Sequence, residues 1–422
     1  MISEFTKEDW SAVYKAANDE YQTFCAQNLA LDMSRGKPSS LQLDVTEEIL
    51  GTLKTSEDCY GEEGDYRNYG ILNGIPEARR LFAELFEVAP ENVVVGGNSS
   101  LNMMYDSLVS ALLFGVPGSV RPWSREEKVR WLCPAPGYDR HFAICENLGM
   151  EMIPVEMLAD GPDMDQIEAL CAEDDSIKGI WCVPKYSNPE GKTYSDETVR
   201  RLASMKAAPD FRIYWDNAYI VHDLGDTSDE LLNLYDECVK AGNPNRAMMF
   251  TSTSKISFPG AGVAAMAAST ENIKALNKAK TYQTIGPDKL NQLRHVRYFK
   301  NKQGIVEHMK RHAAHLRPQF DAALEEMNRQ LAPDGYACWT VPNGGYFLSV
   351  DLADGCAKRV EELMNKAGVK ITPAGASFPY HNDPRDRNLR IAPTYPPLDE
   401  LKTCIQLLCV CIKMATAELY LK

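Results

Sequence analysis

Two stretches decide the fold: FRIYWDNAYIVHDL at residues 211–224 and AMMFTSTSKISFPGAG at residues 247–262. Each begins as a short apolar run that is typical of a buried strand and then passes into a polar loop. The first loop starts at Asp216, and the second carries Lys255. Open α/β sheets bind ligands outside the carboxyl ends of their strands, so we expect these two side chains to face one ligand.

An acidic side chain and a lysine in this arrangement suit pyridoxal 5'-phosphate. Its ring nitrogen needs an acidic partner to stay protonated, and its aldehyde forms a Schiff base with a lysine. Ser252 and Ser254 offer hydroxyl groups to a phosphate, and Gly260 and Gly262 allow close approach of the backbone. A single lysine after a strand is usually solvated, so the assignment depends on matches elsewhere in the chain.

Strand-like runs and helical patterns alternate around these stretches. Segments 93–113 and 129–149, for example, each have the pattern of a strand, a loop and a helix. This alternation predicts an α/β fold with a mostly parallel central sheet flanked by helices, followed by a smaller α+β domain. We predict a large domain at residues 45–295 and a small domain formed by residues 1–44 and 296–422.

The composition excludes several kinds of protein. The 422 residues carry a formal net charge of −14, which argues against nucleic acid or an anionic membrane as a partner. The twelve cysteines are scattered without a CxxC pair, so we expect a reduced, cytoplasmic protein rather than a disulfide framework. The polar start of the sequence is not that of a signal peptide, and no apolar run approaches 18 residues, so no membrane span is expected.

Three further loops carry polar side chains that could form a ligand site. Asn98, Ser99 and Ser100 lie where a helix begins, and a helix N-terminus with added hydroxyls binds anions. Capping of that helix by Asn98 or Ser99 explains the same residues equally well. Tyr138 follows a Pro-Gly turn, where a tyrosine more often serves packing than chemistry. Asn188 begins the sequence NPEG after another strand.

Residues 287–330 carry a long helical pattern in which Pro318 is expected to kink or restart the helix. The pattern contains four histidines: His295, His308, His312 and His315. A metal site is disfavoured because no carboxylate lies at ligand spacing from them and the helix otherwise has a charged, solvated character. We therefore predict no metal.

Taken together, the short motifs match one family in their order along the chain. The matching motifs are RGKP (35–38), GIPEARR (74–80), PGY (136–138), NPEG (188–191), DNAY (216–219), STSK (252–255), GGYF (344–347) and LRIAP (389–393). On this basis the chain is identified as a member of the class I, fold-type I pyridoxal-phosphate aminotransferases. It most resembles their aspartate aminotransferase subgroup, which is also labelled MocR-like, and the resemblance covers nearly the whole chain.

The resemblance implies roles for the residues around the cofactor ring. Lys255 corresponds to the Schiff-base lysine, and Asp216 to the acid that pairs with the pyridine nitrogen. Tyr219 and Asn188 correspond to the residues that bond the phenolic oxygen, and Tyr138 to the aromatic that stacks on the ring. Lys255, Asp216 and Tyr219 are the implied catalytic residues.

The resemblance also implies the phosphate and substrate sites. The implied phosphate ligands are Asn98, Ser99, Ser100 and Ser252. Tyr69 resembles a tyrosine that reaches the phosphate of a neighbouring subunit, which implies a homodimer with shared active sites. Arg390 resembles the arginine that clamps the substrate α-carboxylate, and Gly36 the loop glycine near that carboxylate. The chain departs from the family at Gly262 and Val263, where a phosphate-binding arginine is usual.

The activity that follows from the resemblance is transamination between an amino acid, for which aspartate is our first choice, and 2-oxoglutarate. An aspartate side chain needs a second cation, because burying an unpaired carboxylate is costly. Arg35 and Lys37, which flank Gly36, are the first candidates, although solvated loop charges explain them equally well. Arg385 and Arg387 are weaker candidates.

Three alternatives remain open on the sequence alone. The donor could be alanine or an aromatic amino acid, or the chain could be a pyridoxal-phosphate lyase on the same fold. A non-enzymatic MocR-type regulator is a third possibility. Such regulators place this fold behind a DNA-binding domain, whereas only about forty residues precede the cofactor domain here and the chain is acidic.

Overall fold

The structure, a computed structural model, describes residues 2–422, and Met1 lies outside the described residues. The α-helices in chain order are α1 (Lys7–Cys25), α2 (Ser40–Asp44), α3 (Pro76–Phe86), α4 (Ser100–Phe114), α5 (Asp139–Asn147), α6 (Met164–Glu173), α7 (Asp196–Ser204), α8 (Leu234–Lys240), α9 (Thr270–Gln283), α10 (Lys289–Phe299), α11 (Lys302–Gln330), α12 (Ala357–Lys366) and α13 (Leu398–Leu421). The strands are β1 (Leu31–Asp32), β2 (Tyr60–Gly61), β3 (Gly64–Asp65), β4 (Val93–Val95), β5 (Arg130–Ala135), β6 (Glu151–Leu158), β7 (Gly161–Pro162), β8 (Ile177–Cys182), β9 (Arg212–Asp216), β10 (Ala247–Ser252), β11 (Ala264–Ala268), β12 (Ala337–Trp339), β13 (Leu348–Leu352), β14 (Val369–Lys370) and β15 (Asn388–Ile391).

An eight-stranded sheet forms the centre of the fold, in the order β4-β11-β10-β9-β8-β5-β6-β7. The five strands from β10 to β6 in that order run parallel, whereas β11 pairs antiparallel with β10 and β4, and β7 antiparallel with β6. Parallel strands need crossover helices, so both faces of the sheet are covered and its strands are almost continuously apolar. The predicted α/β fold with a mostly parallel central sheet is confirmed.

The register of β9 and β10 brings the two decisive loops together. Phe250 of β10 pairs with Asp216 of β9, so the two strands end at nearly the same level of the sheet. Every residue of both strands is buried. The polar residues that follow them therefore emerge side by side at one edge of the sheet, as the sequence predicts.

A second, smaller layer is built around the antiparallel sheet β12-β13-β15. The helices nearest the two ends of the described chain, α1 and α13, pack together against it. The ring of Trp10 in α1 stacks on Tyr420 of α13 with centroids 4.7 Å apart, and Tyr21 donates a hydrogen bond to the carbonyl of Leu363. The domain limits at residues 44/45 and 295/296 stay a prediction.

The long helical pattern breaks at a place that the sequence analysis did not predict. Helix α10 ends at Phe299, and the next residue, Lys300, has a φ of 67°, in the left-handed region. The side chain of Asn301 then caps α11 by accepting a hydrogen bond from the Gly304 N–H at 2.9 Å. The predicted restart at Pro318 was wrong, because α11 continues through it, and the alternative of a kink there stays a prediction. The solvated character predicted for this helix was wrong for one face of α11, which includes His308 and His312 and is buried.

Helix α13 meets the length and composition expected of a membrane span, which the sequence analysis did not anticipate. Its most apolar 18-residue window has a mean hydropathy of 1.6, yet 67% of that window is buried inside the fold. Core helices of folded proteins pass the same test. No other helix within residues 2–422 does so.

Candidate active site

Asp216 ends β9 as a buried carboxylate, with 3% of the residue exposed. Its Oδ2 lies 3.0 Å from Nε2 of His141, and the ring of that histidine stacks on Trp181 at 4.3 Å. Its other oxygen, Oδ1, has no hydrogen-bond partner among the described residues. A buried acceptor without a donor is costly, so this oxygen suits a ligand that brings a protonated nitrogen.

Lys255 ends a short 3₁₀ helix, Thr253–Lys255, that follows β10 directly. Its Nζ lies 5.0 Å from the ring centroid of Tyr219 and 5.8 Å from that of Tyr346. Within residues 2–422 this ammonium forms no hydrogen bond and no ion pair. Burial lowers the pKa of Lys255, and the negative charge of Asp216 opposes that shift. The lysine is therefore held as an available amine beside two aromatic rings.

The structure brings the other predicted ring contacts to the same place. Tyr219 is buried, three residues beyond Asp216, and burial holds the pKa of its hydroxyl well above the usual range. Tyr138 precedes α5, and its ring packs edge-on against His141 with 5.0 Å between the ring centroids. Asn188 is buried and accepts a hydrogen bond from Arg390 at 3.4 Å.

The predicted phosphate site lies where β10 meets the start of α4. Ser252 Oγ donates to Ser254 Oγ at 3.0 Å, and Ser254 Oγ donates to the carbonyl of Asn98 at 3.3 Å. Ser99 occupies the N-cap position of α4 without a side-chain capping bond. The capping role that was the alternative for Asn98 and Ser99 is therefore not realised. The hydroxyls of Ser99 and Ser100 and the first N–H groups of α4 remain available to an anion.

Another arginine is connected to the loop where the family's phosphate arginine is missing. The side-chain amide of Asn291 in α10 donates to the carbonyls of Ala261 and Gly262 at 3.0 and 2.8 Å. Arg294, one turn along α10, donates to the Asn291 side-chain oxygen, and its Nε has no partner among the described residues. The sequence analysis did not single out either residue.

Arg390 lies on β15 with 8% of the residue exposed, facing the large sheet. Its Nη1 donates to Asp139 at 2.7 Å, and its guanidinium lies 5.2 Å from the ring centroid of Phe347. A side chain at Gly36 would overlap that same phenylalanine ring, so the Gly36 loop packs against Phe347. The loop glycine and the arginine are therefore neighbours of one ring.

Two of the four candidate cations for a second carboxylate already have partners. Arg385 bonds to Asp354, and Arg387 bonds to Asp351 at 2.8 Å. Lys37 lies over the ring of Tyr395 at 4.2 Å from its centroid. Exposed Arg35 forms no ion pair within residues 2–422. Of the four candidates, the two cations that flank Gly36 are thus the ones available to bind a second substrate carboxylate.

Tyr69, the residue predicted to reach a neighbouring subunit, is open to solvent in this chain. It is 82% exposed, in a loop ahead of α3.

Sequence reasoning missed two residues that contact the predicted site: His141, the partner of Asp216, and Asp139, the partner of Arg390. His141 follows Tyr138 by three residues in PGYDRH, so helical spacing places both on the same side of the start of α5. That spacing was a usable signal. Asp139 carried none, because its partner Arg390 is 251 residues away in the sequence.

The side chains present fit pyridoxal 5'-phosphate. The unpartnered Oδ1 of Asp216 fits a protonated ring nitrogen, and the unpartnered amine of Lys255 fits an aldehyde. The open N-terminus of α4 fits a phosphate.

Comparisons with known proteins agree with this geometry. A family model described as aspartate amino-transferase matches residues 5–422. An aspartate aminotransferase from Corynebacterium glutamicum is 45% identical over 420 residues, which cover 99% of this chain and 97% of that protein. A relative from Mycolicibacterium smegmatis is 48% identical over 415 residues, or 98% of this chain and 97% of the relative. The crystal structure of an aspartate transaminase from C. glutamicum has a TM-score of 0.97, with 45% identity and 99% of both chains covered.

Proposed function

Because the chain belongs to the aspartate aminotransferase family, we propose that it transfers the amino group of aspartate to 2-oxoglutarate with pyridoxal 5'-phosphate as cofactor. Membership of this family makes the chain an aminotransferase. The donor, the cofactor contacts and the roles of single residues are the proposed part. One observation carries the proposal: an unpartnered carboxylate oxygen of Asp216 and the unpartnered amine of Lys255 lie at adjacent strand ends.

When bound, pyridoxal phosphate supplies an aldehyde that takes up an amine and a protonated ring that accepts electrons. Asp216 would hold the proton on the ring nitrogen, and His141 fixes the orientation of that carboxylate. Tyr138 would cover the ring, and Tyr219 would bond its phenolic oxygen together with Asn188. The residues named for the phosphate are Asn98, Ser99, Ser100, Ser252 and, from a partner subunit, Tyr69.

Lys255 would act as the base that carries a proton at Nζ. Because burial lowers the pKa of this amine, more of it is neutral near pH 7 than is usual for a lysine. Asp216 opposes the shift, so a suitable pKa depends on both groups. Arg390 orients the substrate, since a planar guanidinium binds a carboxylate at two points.

The choice of aspartate is supported by the loop that packs on Phe347. Arg35 and Lys37 flank Gly36, which contacts the same ring as Arg390. A dicarboxylate could therefore be bound by Arg390 at one end and by these cations at the other. An uncharged donor would use neither cation, and both would then be solvated loop charges.

A panel of amino donors with 2-oxoglutarate tests the proposed donor. Aspartate should have the highest kcat/KM, and preference for alanine or an aromatic donor would overturn it. Arg35→Gln should raise KM for aspartate and leave alanine nearly unchanged, whereas the matched variant Arg385→Gln should change neither. If Arg35→Gln changed KM equally for aspartate and alanine, Arg35 would not be the cation that binds the side-chain carboxylate.

The panel also separates the lyase alternative, because only an aminotransferase forms glutamate in stoichiometric amounts. Membership of the MocR-like subgroup remains a proposal. A gel-shift measurement with DNA tests the regulatory role of that subgroup, and the net charge of −14 leads us to expect no retardation.

We also propose a homodimer with shared active sites. The backbone at Gly286 contacts the loop at Gly70, so the segment after α9 lies beside Tyr69. This region and the end of α4 expose large apolar side chains: Tyr69, Leu113, Phe114, Tyr282 and Ile285. A second subunit covering this surface would remove them from water and bring its own Tyr69 to the phosphate site.

Hybrid dimers test the shared sites. A Tyr69→Ala variant and a Lys255→Ala variant, each of low activity, should regain activity when mixed, because one site of each hybrid contains both native residues. Absence of recovery after confirmed subunit exchange would count against shared sites. All twelve cysteines are free, which supports our proposal of a cytoplasmic location.

A further inference from the structure

Three buried histidines contact the three consecutive residues that begin at the proposed catalytic lysine. His222 Nε2 lies 3.3 Å from the carbonyl oxygen of residue 255, and His308 Nε2 lies 2.8 Å from the carbonyl oxygen of residue 256. His295 Nε2 lies 2.7 Å from the hydroxyl of residue 257. We refer to His222, His295 and His308 as the histidine brace. None of the three is more than 3% exposed.

The histidine brace comes from three separate elements: the loop after β9, helix α10 and helix α11. If residues 255–257 move together, hydrogen bonds to all three of these elements are broken. Within residues 2–422, no group of three or more histidine, cysteine or acidic side chains is arranged to hold a metal ion. Two of the four histidines of the long helical pattern, His295 and His308, contact this segment.

Hydrogen-bond geometry fixes the protons on two of the rings. Arg311 donates to His308 Nδ1 at 2.7 Å, and a guanidinium cannot accept, so the proton of His308 lies on Nε2. The carbonyl of Ile256, at 2.8 Å, is the nearest acceptor to that nitrogen, which also lies 3.0 Å from His312 Nε2 and 3.2 Å from Thr46 Oγ1. His295 Nδ1 lies 2.8 Å from a backbone carbonyl of α10 and carries the proton, so its Nε2 accepts from Ser257. Burial lowers the pKa of both rings to about 4, which agrees with neutral imidazoles.

His222 connects the brace to the cleft. Its ring packs edge-on against Tyr219 and Tyr346, at 5.5 and 5.8 Å between centroids. These are the two rings over which the Lys255 ammonium lies. The same imidazole thus contacts the backbone of the lysine and the surfaces beside its side chain.

We propose that the histidine brace is a positioning device for Lys255, which fixes the backbone from which the amine reaches the substrate. This inference rests on the proposed function, because it takes Lys255 to be the reacting lysine. The brace touches neither substrate nor cofactor, so its members are positioning residues. A lysine on a loosened backbone would sample more solvent and fewer productive orientations.

Variants of His308 test the proposal, with His315→Leu as the matched control, since His315 lies on the same helix and is exposed. His308→Leu removes the donor to the Ile256 carbonyl. His308→Gln restores an N–H of similar reach, and His308→Asn is polar but one methylene shorter. The first readout uses the apoenzyme: competitive acetylation of Lys255, measured by mass spectrometry against exposed Lys278 across pH. The second is kcat and KM of the loaded enzyme.

We expect His308→Leu and His308→Asn to move the acetylation midpoint of Lys255 to higher pH and to lower kcat about tenfold, with KM changed less than about twofold. His308→Gln and His315→Leu should behave like the parent. The proposal would be overturned if the folded Leu or Asn variant kept the parent's acetylation midpoint for Lys255. It would also be overturned if the Gln variant lost as much kcat as the Leu variant. If the Leu variant does not fold, the Asn variant decides. Lys255→Ala is measured alongside, and turnover retained there would overturn the proposed function instead.

Discussion

Replacement of Arg390 by glutamine offers the most direct test of how this site selects carboxylates. The guanidinium is almost fully buried, and its Nη1 is already bonded to Asp139 at 2.7 Å and to Asn188 at 3.4 Å. Its Nε has no partner among the described residues. A substrate carboxylate would therefore bind the unoccupied side of the guanidinium, in surroundings that screen charge poorly.

The size of the expected effect follows from that burial. Removing one partner of a buried, hydrogen-bonded charge pair costs about 2–5 kcal/mol, which corresponds to a fall in kcat/KM of about 30-fold to 4,000-fold. We expect Arg390→Gln to lie in the upper part of this range. Without the arginine, the charge of Asp139 is left unpaired and repels the incoming carboxylate. Arg390→Lys should lose less, because it keeps the charge but not the planar fork.

The assay is steady-state formation of the oxo acid with 2-oxoglutarate as acceptor: oxaloacetate when aspartate is the donor and pyruvate when alanine is the donor. Both donors carry an α-carboxylate, so Arg390→Gln should affect both by a similar factor. Arg385→Gln is the matched control, because Arg385 lies nearby in the sequence but pairs with exposed Asp354. A kcat/KM within threefold of the control, or a loss confined to aspartate, would refute the assignment of Arg390 to the α-carboxylate.

Three further variants test the rest of the site. Lys255→Ala should abolish turnover and the covalent attachment of cofactor after borohydride reduction, and attached cofactor in the intact protein's mass would contradict this assignment. Asp216→Ala should still bind cofactor but lose roughly 3–6 kcal/mol of transition-state stabilisation, the scale of catalytic electrostatic effects; a near-normal kcat would show that Asp216 is structural. Arg294→Gln should raise the cofactor concentration needed for half-maximal activity, because we propose that this arginine, joined through Asn291 to the loop at Gly262, supplies positive charge to the phosphate. If titration of the apoenzyme gave an unchanged cofactor concentration for half-maximal activity, Ser252 and the start of α4 would bind the phosphate without Arg294.

The sequence predicted the parts of the site that depend on local patterns. Asp216 and Lys255 follow apolar runs, and parallel strands bring such ends together without further information. The pairing of Arg390 with Asp139 could not be predicted in this way, since hydrophobic periodicity says nothing about which distant side chains meet. The break at Lys300 was missed because Pro318 offered the stronger local signal, whereas the buried face of α11 keeps that helix continuous.

The histidines of α10 and α11 illustrate the same limit. Their neighbours in sequence are charged, so the sequence predicted a solvated helix whose imidazoles have no specific partner. The partners of His308 are Thr46, the carbonyl of Ile256 and the neighbouring ring of His312, and the first two come from distant parts of the sequence. A pattern within one helix cannot reveal partners of that kind.

The packing of α1 against α13 has a consequence for how the protein is made. At about 5–20 residues per second, the roughly 370 residues between Cys25 and Leu398 take on the order of 20–75 s to synthesise. During that time the apolar face of α1, with Trp10 and Tyr21, has no α13 to cover it. The large sheet can form on the ribosome, but the smaller layer has to wait for the last helix to emerge. The nascent chain therefore depends on chaperones or on its own solubility near its first helix until synthesis is almost finished.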